Sequence, residues 1–169
     1  MTKKLEKYAT ELAMGRWGRQ FEVDNYYYVG NECIALKLVD PIPNMQIESE
    51  SEIGKGYAKY FSELYDSKKD YKLIELPDMR EGIRETVGRK LDRVAYSYNY
   101  ESPNLDARFV RDMMEALGVK EAYISEKNKP VYLCSSNKLY TICDMGLIMP
   151  LYPSDCKEGF WKCTINMIG

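Results

Sequence analysis

The sequence contains no histidine among its 169 residues. Without an imidazole the chain cannot use a histidine general base, a Ser-His or Cys-His catalytic pair, or a histidine metal ligand. Acid–base chemistry would have to rest on carboxylates, and no pair of acids stands out by its spacing. The commonest ways of building a catalytic site are thereby removed, although a carboxylate-based hydrolase is chemically possible. We expect a protein that is not an enzyme and that uses neither a cofactor nor a metal.

Other common features are missing as well. No apolar run approaches the length of a membrane span, and the N-terminus lacks the apolar centre of a signal peptide. The five cysteines form no C-x-x-C pair and are expected to be reduced, half-buried thiols. The formal net charge is −2, which predicts no bulk attraction to nucleic acid or acidic lipid. We therefore expect a cytoplasmic protein without a membrane partner, on which any electropositive surface is local.

What is present is typical of one globular domain. A chain of 169 residues can bury a core of its own. Its 45% hydrophobic and 30% charged residues are ordinary for a folded protein in water. The 15 tyrosines fit half-exposed strands and binding surfaces equally well, so composition alone leaves both interpretations open.

The first part of the chain indicates a helix followed by strands. Apolar residues at helical spacing predict a helix over residues 2–14, with Thr2 as its N-terminal cap. Two β-rich runs, residues 20–29 and 32–39, flank a turn at Gly30 and predict a hairpin. In the second run, alternate side chains should face the core. They are Ile34, Leu36 and Leu38.

The middle of the chain is more irregular. Residues 45–56 are acidic and are expected to form a solvated loop rather than a cation site. Residues 57–70 predict a short helix, and residues 71–76 predict a strand. Pro77 is expected to open a further helix that continues to residue 90.

The last part predicts a strand, a helix and a meander. The strand covers residues 92–100, and the helix that follows has Asn104 or Asp106 as its cap and ends at Gly118. Short polar turns then separate three strands in antiparallel order. The strands cover residues 119–125, 130–136 and 139–151. The fold class is therefore α+β, an antiparallel sheet with helices on one face.

The order of these last strands and this helix resembles the order found in a known protein family. The strand "RVAYSYNYES", the helix "LDARFVRDMMEALG", and the strands "VKEAYIS", "KPVYLCSS" and "LYTICDMGLIMPL" follow one another without interruption. This block, roughly residues 92–151, resembles one domain of the bacterial DNA sliding clamp, the beta clamp of the replicative polymerase. The residues that sit in the family's helix pattern are Phe109, Val110, Asp112, Met114, Ala116 and Leu117. Those at its terminal signature are Met149, Pro150 and Leu151.

The chain also departs from the family. It has room for one clamp domain, whereas a bacterial clamp subunit has three. The family's terminal Arg-Leu is missing, because Leu151 is followed by Tyr152 and Pro153. The resemblance implies a single clamp-like domain over residues 1–169, with an inserted helical segment at 40–90 and a C-terminal extension at 152–169.

The resemblance implies a function and two kinds of site. The protein would be a non-enzymatic, sliding-clamp-like factor of DNA replication or repair, from a bacterium or one of its mobile elements. In clamps, the residues that correspond to Met149, Pro150 and Leu151 line a groove for short hydrophobic peptide motifs of replication proteins. The alternative for these three residues is the core end of an edge strand.

Clamps also turn their helices toward duplex DNA, and basic side chains touch its phosphates without reading sequence. The residues in corresponding places are Lys3, Lys4, Lys7, Arg108 and Arg111. Solvated helix faces are the alternative for these side chains. A closed ring would require a homo-oligomer of about six copies. The runner-up function is a small protein–protein interaction module with no DNA contact.

Overall fold

The structure, a computed structural model, describes residues 1–76, 80–86, 92–97, 103, 105–139 and 141–150, with side chains at all of these except 80–86, 92–97 and 136. The helices in these ranges are α1 (Lys3–Met14), α2 (Glu52–Asp66) and α3 (Ala107–Leu117). The strands of the first half are β1 (Gln20–Val23), β2 (Tyr26–Gly30), β3 (Ile34–Leu38), β4 (Ile47–Ser49) and β5 (Lys72–Glu75). Those of the second half are β6 (Arg80–Thr86), β7 (Asp92–Ser97), β8 (Leu105–Asp106), β9 (Glu121–Ile124), β10 (Val131–Leu133) and β11 (Met145–Ile148).

The main sheet joins the two halves of the chain. Its strands are ordered β4-β1-β2-β3-β11-β10-β9-β5, and a smaller antiparallel sheet is ordered β6-β7-β8. Within the main sheet every pair is antiparallel except β1 with β4. The two meanders meet where β3 pairs with β11, with Leu36 opposite Gly146. Mixed helices and a mostly antiparallel sheet confirm the predicted α+β class.

Helices α1 and α3 lie side by side on one face of the main sheet. The Thr2 hydroxyl accepts a hydrogen bond from the N–H of Leu5, which confirms the predicted cap of α1. Both helices bury their apolar side chains in one core with alternate residues of the strands. These include Ile34, Leu36 and Leu38, as predicted. Each side chain of this size stabilises the fold by about 1.5–3 kcal/mol when it is fully buried.

Helix α2 packs against the opposite face of the same sheet. Its Phe61 and Leu64 are buried with Phe21, Tyr28 and Tyr132, in a second core that contains none of the α1 or α3 side chains. Successive side chains of a strand point to opposite faces, so one sheet can serve both cores. The prediction of helices on one face is therefore correct for α1 and α3 and wrong for α2.

Two predicted boundaries in the first half were wrong. Residues 20–29 are not one strand, because Asp24 and Asn25 form a turn between β1 and β2. Both residues have positive φ, 50° and 67°, as in a type I′ hairpin turn. The acidic segment 45–56 is also more than a loop, since it contains β4 and the first turn of α2. The Ser51 hydroxyl caps α2 by accepting a hydrogen bond from the N–H of Ile53.

Two further predictions in the second half need correction. The helix predicted for residues 77–90 is wrong over β6, which pairs antiparallel with β7, while residues 77–79 and 87–90 lie outside the described ranges. The final strand begins at Met145 rather than at residue 139, because a 3-10 turn over Ser136–Lys138 precedes it. Helix α3, its Gly118 C-cap with φ of 67°, and the antiparallel order of β9, β10 and β11 are confirmed.

The segment 40–90 contributes to the main sheet. It supplies β4 and β5, the strands at the two ends of the strand order, as well as α2. Its origin as an insertion, and the extension at 152–169, stay predictions. Within the described ranges, no helix combines the length and the apolar character that crossing a lipid bilayer requires.

Candidate nucleic-acid interface

The lysines of α1 point away from the sheet. Leu5, Ala9 and Leu12 recur at helical spacing and are buried, so the opposite side of the helix faces water. Lys3, Lys4 and Lys7 are all exposed on that side. Fixed φ and ψ angles in the helix hold the three ammonium groups on one surface, while their flexible stems leave the charged ends free to adjust.

The arginines of α3 lie on the same layer. Val110, Met113 and Ala116 face the core, and this leaves Arg108 and Arg111 exposed. Lys4 Nζ lies 3.9 Å from Glu115 Oε1 of α3, an ion pair that spans the two helices. The structure thus brings the five basic residues singled out from the sequence onto one helical layer.

Arg108 is held by a buried carboxylate. Its Nη2 and Nε donate to Asp106 Oδ2 and Oδ1 at 2.8 Å and 3.1 Å. Asp106 is 2% exposed and also caps α3, since Oδ1 accepts a hydrogen bond from the N–H of Arg108. These hydrogen bonds raise the pKa of the Arg108 guanidinium, which stays charged. The arginine is therefore fixed at the beginning of α3, with its outer edge exposed.

The layer is not uniformly positive. Arg111 Nε donates to Asp112 Oδ1 at 3.0 Å, and Glu11 and Glu115 are exposed beside the lysines. In the described part of the chain, no ion pair involves Lys3 or Lys7. Because nearby carboxylates offset several of the cations, this surface can offer only a few net phosphate contacts.

Tyr8 lies in the seam between α1 and α3. Its hydroxyl is buried and finds no hydrogen-bond partner among the described residues. Burial, and then the charge of Asp112, raise the pKa of this phenol well above its usual value. A buried hydroxyl without a hydrogen-bond partner lowers folding stability by about 1–3 kcal/mol. The Tyr8 hydroxyl therefore weakens the packing between α1 and α3.

The Met149–Pro150 motif lies at the end of β11. The N–H of Met149 donates to the carbonyl of Cys33 at 2.8 Å, which extends the pairing of β11 with β3 by one residue. Met149 is half-buried against the α2-side core, and Pro150 is buried. Leu151 lies outside the described residues. The motif therefore reaches the α2 side of the sheet, away from the basic layer, and its role in peptide binding stays a prediction.

A depression beside the beginning of α2 is acidic. About 500 Å³ of open space lies at the β1–β2 turn, next to the end of β4 and the beginning of α2. Its lining includes Glu22, Asp24 and Glu50, against a single Lys55. Such a surface repels phosphate. Nowhere in the described ranges do three or more cysteine, aspartate or glutamate side chains converge so as to hold a metal ion.

One pair of thiols could not be predicted from the sequence, which indicates only isolated cysteines. Cys134 Sγ and Cys143 Sγ are 3.7 Å apart beside β10 and β11. The antiparallel register places Leu133 opposite Gly146, so the next residue, Cys134, falls opposite Met145. Cys143 comes two residues before Met145 and therefore lies on the same face of the sheet. Correct strand boundaries would therefore have been needed to find the pair.

Comparisons with known proteins identify no relative. No protein-family model, no curated protein and no solved structure matches the chain.

Proposed function

We propose that the protein is a non-enzymatic, clamp-like DNA-binding factor of replication or repair, which contacts duplex DNA through the outer surface of α1 and α3. The supporting observation is that the two helices share one face of a continuous sheet and turn their basic residues outward together. Lysine and arginine on such a surface meet phosphates without reading base edges, as non-specific binding requires.

The charge balance sets the strength of this contact. Each phosphate that a protein neutralises contributes about −0.9 to the slope of log K against log salt. Five basic residues with interspersed carboxylates should give a slope of about −2 to −4, and weak affinity. A homo-oligomeric ring would retain DNA despite weak contacts, and the strands β4 and β5 at opposite ends of the sheet are the surfaces we propose for its closure. Light scattering after size exclusion tests that assembly.

Fluorescence anisotropy with a labelled duplex tests the DNA contact. Replacing Lys3, Lys4 and Lys7 together by glutamine removes three charges and keeps helix propensity. We expect a loss of affinity at low salt and a salt slope that is smaller by about 2 to 3. The matched control replaces three lysines that are exposed on the α2 side. They are Lys55, Lys59 and Lys69. Equal losses of DNA affinity in both triple variants would contradict binding through the α1–α3 surface.

We also propose that Met149 and Pro150 form part of a groove for short hydrophobic peptides. Methionine adapts to irregular partners, and proline needs no strand partner for a backbone donor. Peptide binding measured by calorimetry should be lost in Met149→Ala. Met14→Ala is the control, because Met14 is 63% exposed and lies on α1, outside the motif. Equal affinities for the two variants would contradict the groove.

A protein–protein module without DNA contact is the second candidate. It is favoured by the carboxylates on the helical layer and by the exposed Met14 at the end of α1. Complementary charges and a central apolar anchor suit a protein partner better than a phosphate backbone. Absence of duplex binding at low salt, with intact folding, would favour this function.

A further inference from the structure

Two thiols meet beside the ends of β10 and β11. Cys134 follows β10 directly and is 1% exposed, while Cys143 is half-buried and comes two residues before β11. Their Sγ atoms are 3.7 Å apart, which is van der Waals contact between sulfurs. The loop between them contains a 3-10 turn and returns the chain to the same place in the fold.

We propose that Cys134 and Cys143 form a reversible dithiol–disulfide site, whose oxidation ties the loop between β10 and β11 to the end of β10. The oxidant class is a low-molecular-weight disulfide such as glutathione disulfide. This proposal does not depend on DNA binding, because the thiols lie on the α2 side of the sheet.

The geometry requires only a small movement. A disulfide has an S–S length of about 2.05 Å, so the sulfurs must approach by less than 2 Å. Neither cysteine lies within a strand. Rotation of Cys143 about χ1 moves only its side chain, so the backbone hydrogen bonds of the sheet stay intact. The Cys143 thiol donates to the Lys138 carbonyl at 3.2 Å, and this contact is the one that the rotation gives up.

The two thiols are not equivalent. Cys134 is enclosed in the α2-side core, whereas part of Cys143 faces solvent. Burial raises the pKa of the Cys134 thiol to about 12, and the neighbouring Cys143 and Glu121 act in the same direction. Lys37 lies near both thiols, with its ammonium 4.1 Å from the centre of the Tyr26 ring. Cys143 is therefore the attacking thiol, and Cys134 is the resolving one.

The exchange balances as two displacements. The Cys143 thiolate attacks one sulfur of glutathione disulfide, forms a mixed disulfide and releases one glutathione thiolate. Cys134 then attacks the Cys143 sulfur and gives its proton to the departing glutathione thiolate, which leaves as the second glutathione. The protein loses two thiol protons and two electrons, and glutathione disulfide is reduced to two glutathione molecules.

The bond would fix a loop with one end already anchored. The Tyr65 hydroxyl of α2 donates to the Leu139 carbonyl at 2.8 Å, and the Leu139 side chain is 2% exposed. Further along, Ile142 is 74% exposed immediately before Cys143. Oxidation would hold Ile142 at a set position, because its neighbour Cys143 would be covalently attached to Cys134, which directly follows β10.

Peptide mapping without reduction tests the site. The full chain is equilibrated with glutathione at increasing fractions of the disulfide form, alkylated and digested with trypsin, which cleaves after Lys138, between the two cysteines. Cys156 shares a tryptic peptide with Cys143, so the experiment uses a Cys156→Ser background. We expect peptides 128–138 and 139–157 to become linked, with the linked form lost in Cys143→Ser.

The control variant is Cys33→Ser, because Cys33 is an exposed cysteine outside this pair. It should leave the linked peptide unchanged. The proposal would be overturned if the linked peptide stayed absent at the most oxidising ratio while circular dichroism showed a folded protein. Preferential linkage of Cys134 to Cys33 or Cys163 would overturn it equally.

Discussion

Gly146 of β11 lies directly beneath the thioether of Met113 on α3. A Cβ built on the glycine would collide with Met113 Sδ and would lie 3.0 Å from Cδ1 of Leu117. This close approach seats α3 over the strand that joins the two halves of the sheet. The position of the basic layer thus depends on a residue that carries no side chain.

We expect Gly146→Ala to destabilise the protein by about 1–3 kcal/mol, because the added methyl group overpacks the interface between helix and sheet. Urea unfolding followed by circular dichroism measures the change. Gly56→Ala is the control: a Cβ at Gly56 of α2 meets nothing within 4 Å, and the helix should gain about 0.5–1 kcal/mol. Equal effects of the two substitutions would contradict the packing described for α3.

Asp106 should contribute to stability chiefly as a helix cap. Asp106→Ala removes the acceptor for the N–H of Arg108 and should cost about 1–2 kcal/mol. Asp106→Asn keeps a good cap and should cost less. The control Asp112→Asn removes an exposed ion pair with Arg111 and should change stability by less than about 0.5 kcal/mol. If Asp106→Asn were as damaging as Asp106→Ala, the charge rather than the cap would carry the effect.

Stability should be insensitive to pH around neutrality and fall in alkali. The chain has no histidine, so no side chain of ordinary pKa titrates between about pH 6 and 8. Burial raises the pKa of Tyr28 and Tyr132 above the usual tyrosine value of 10.0 in the folded state. The unfolded chain therefore releases these protons at a lower pH than the folded protein does. The stability that the two protonated tyrosines contribute is complete below about pH 10 and is lost as the pH rises further.

Thermal unfolding at stepped pH, with tyrosinate absorbance recorded in parallel, measures this dependence. We expect a constant Tm from about pH 6 to 8, followed by a decline above about pH 10 that coincides with the ionisation of the buried tyrosines. A marked decline of Tm between pH 6 and 8 would contradict the expectation, as would complete tyrosine ionisation before any loss of circular dichroism.

Local signals predicted α1 and α3 well, because their determinants are close in sequence. Thr2, Asp106 and Gly118 are caps that satisfy backbone groups within one turn. The helix predicted over β6 was wrong because a local helix-start signal at Pro77 was used, whereas pairing with β7 decides the conformation. The opposite position of α2 could not be predicted, since both faces of a strand such as β10 are apolar enough to be buried.

In the candidate site, too, some features follow from local sequence and others depend on the folded structure. The basic residues of α1 and α3 could be singled out from the sequence through the resemblance to sliding clamps. Their counter-charges could not, because Glu115 reaches Lys4 only when α1 and α3 are packed together. The proximity of Cys134 and Cys143 likewise depends on the register between β10 and β11.

Lysine footprinting tests the proposed DNA surface most directly. The folded protein is acetylated briefly at low salt, with and without a duplex of arbitrary sequence, and the modification of each lysine is read by mass spectrometry. We expect duplex DNA to protect Lys3, Lys4 and Lys7 and to leave the exposed lysines of the α2 side, among them Lys59, unchanged. Protection confined to the α2 side, or no protection of α1 at salt concentrations where DNA is bound, would contradict the account.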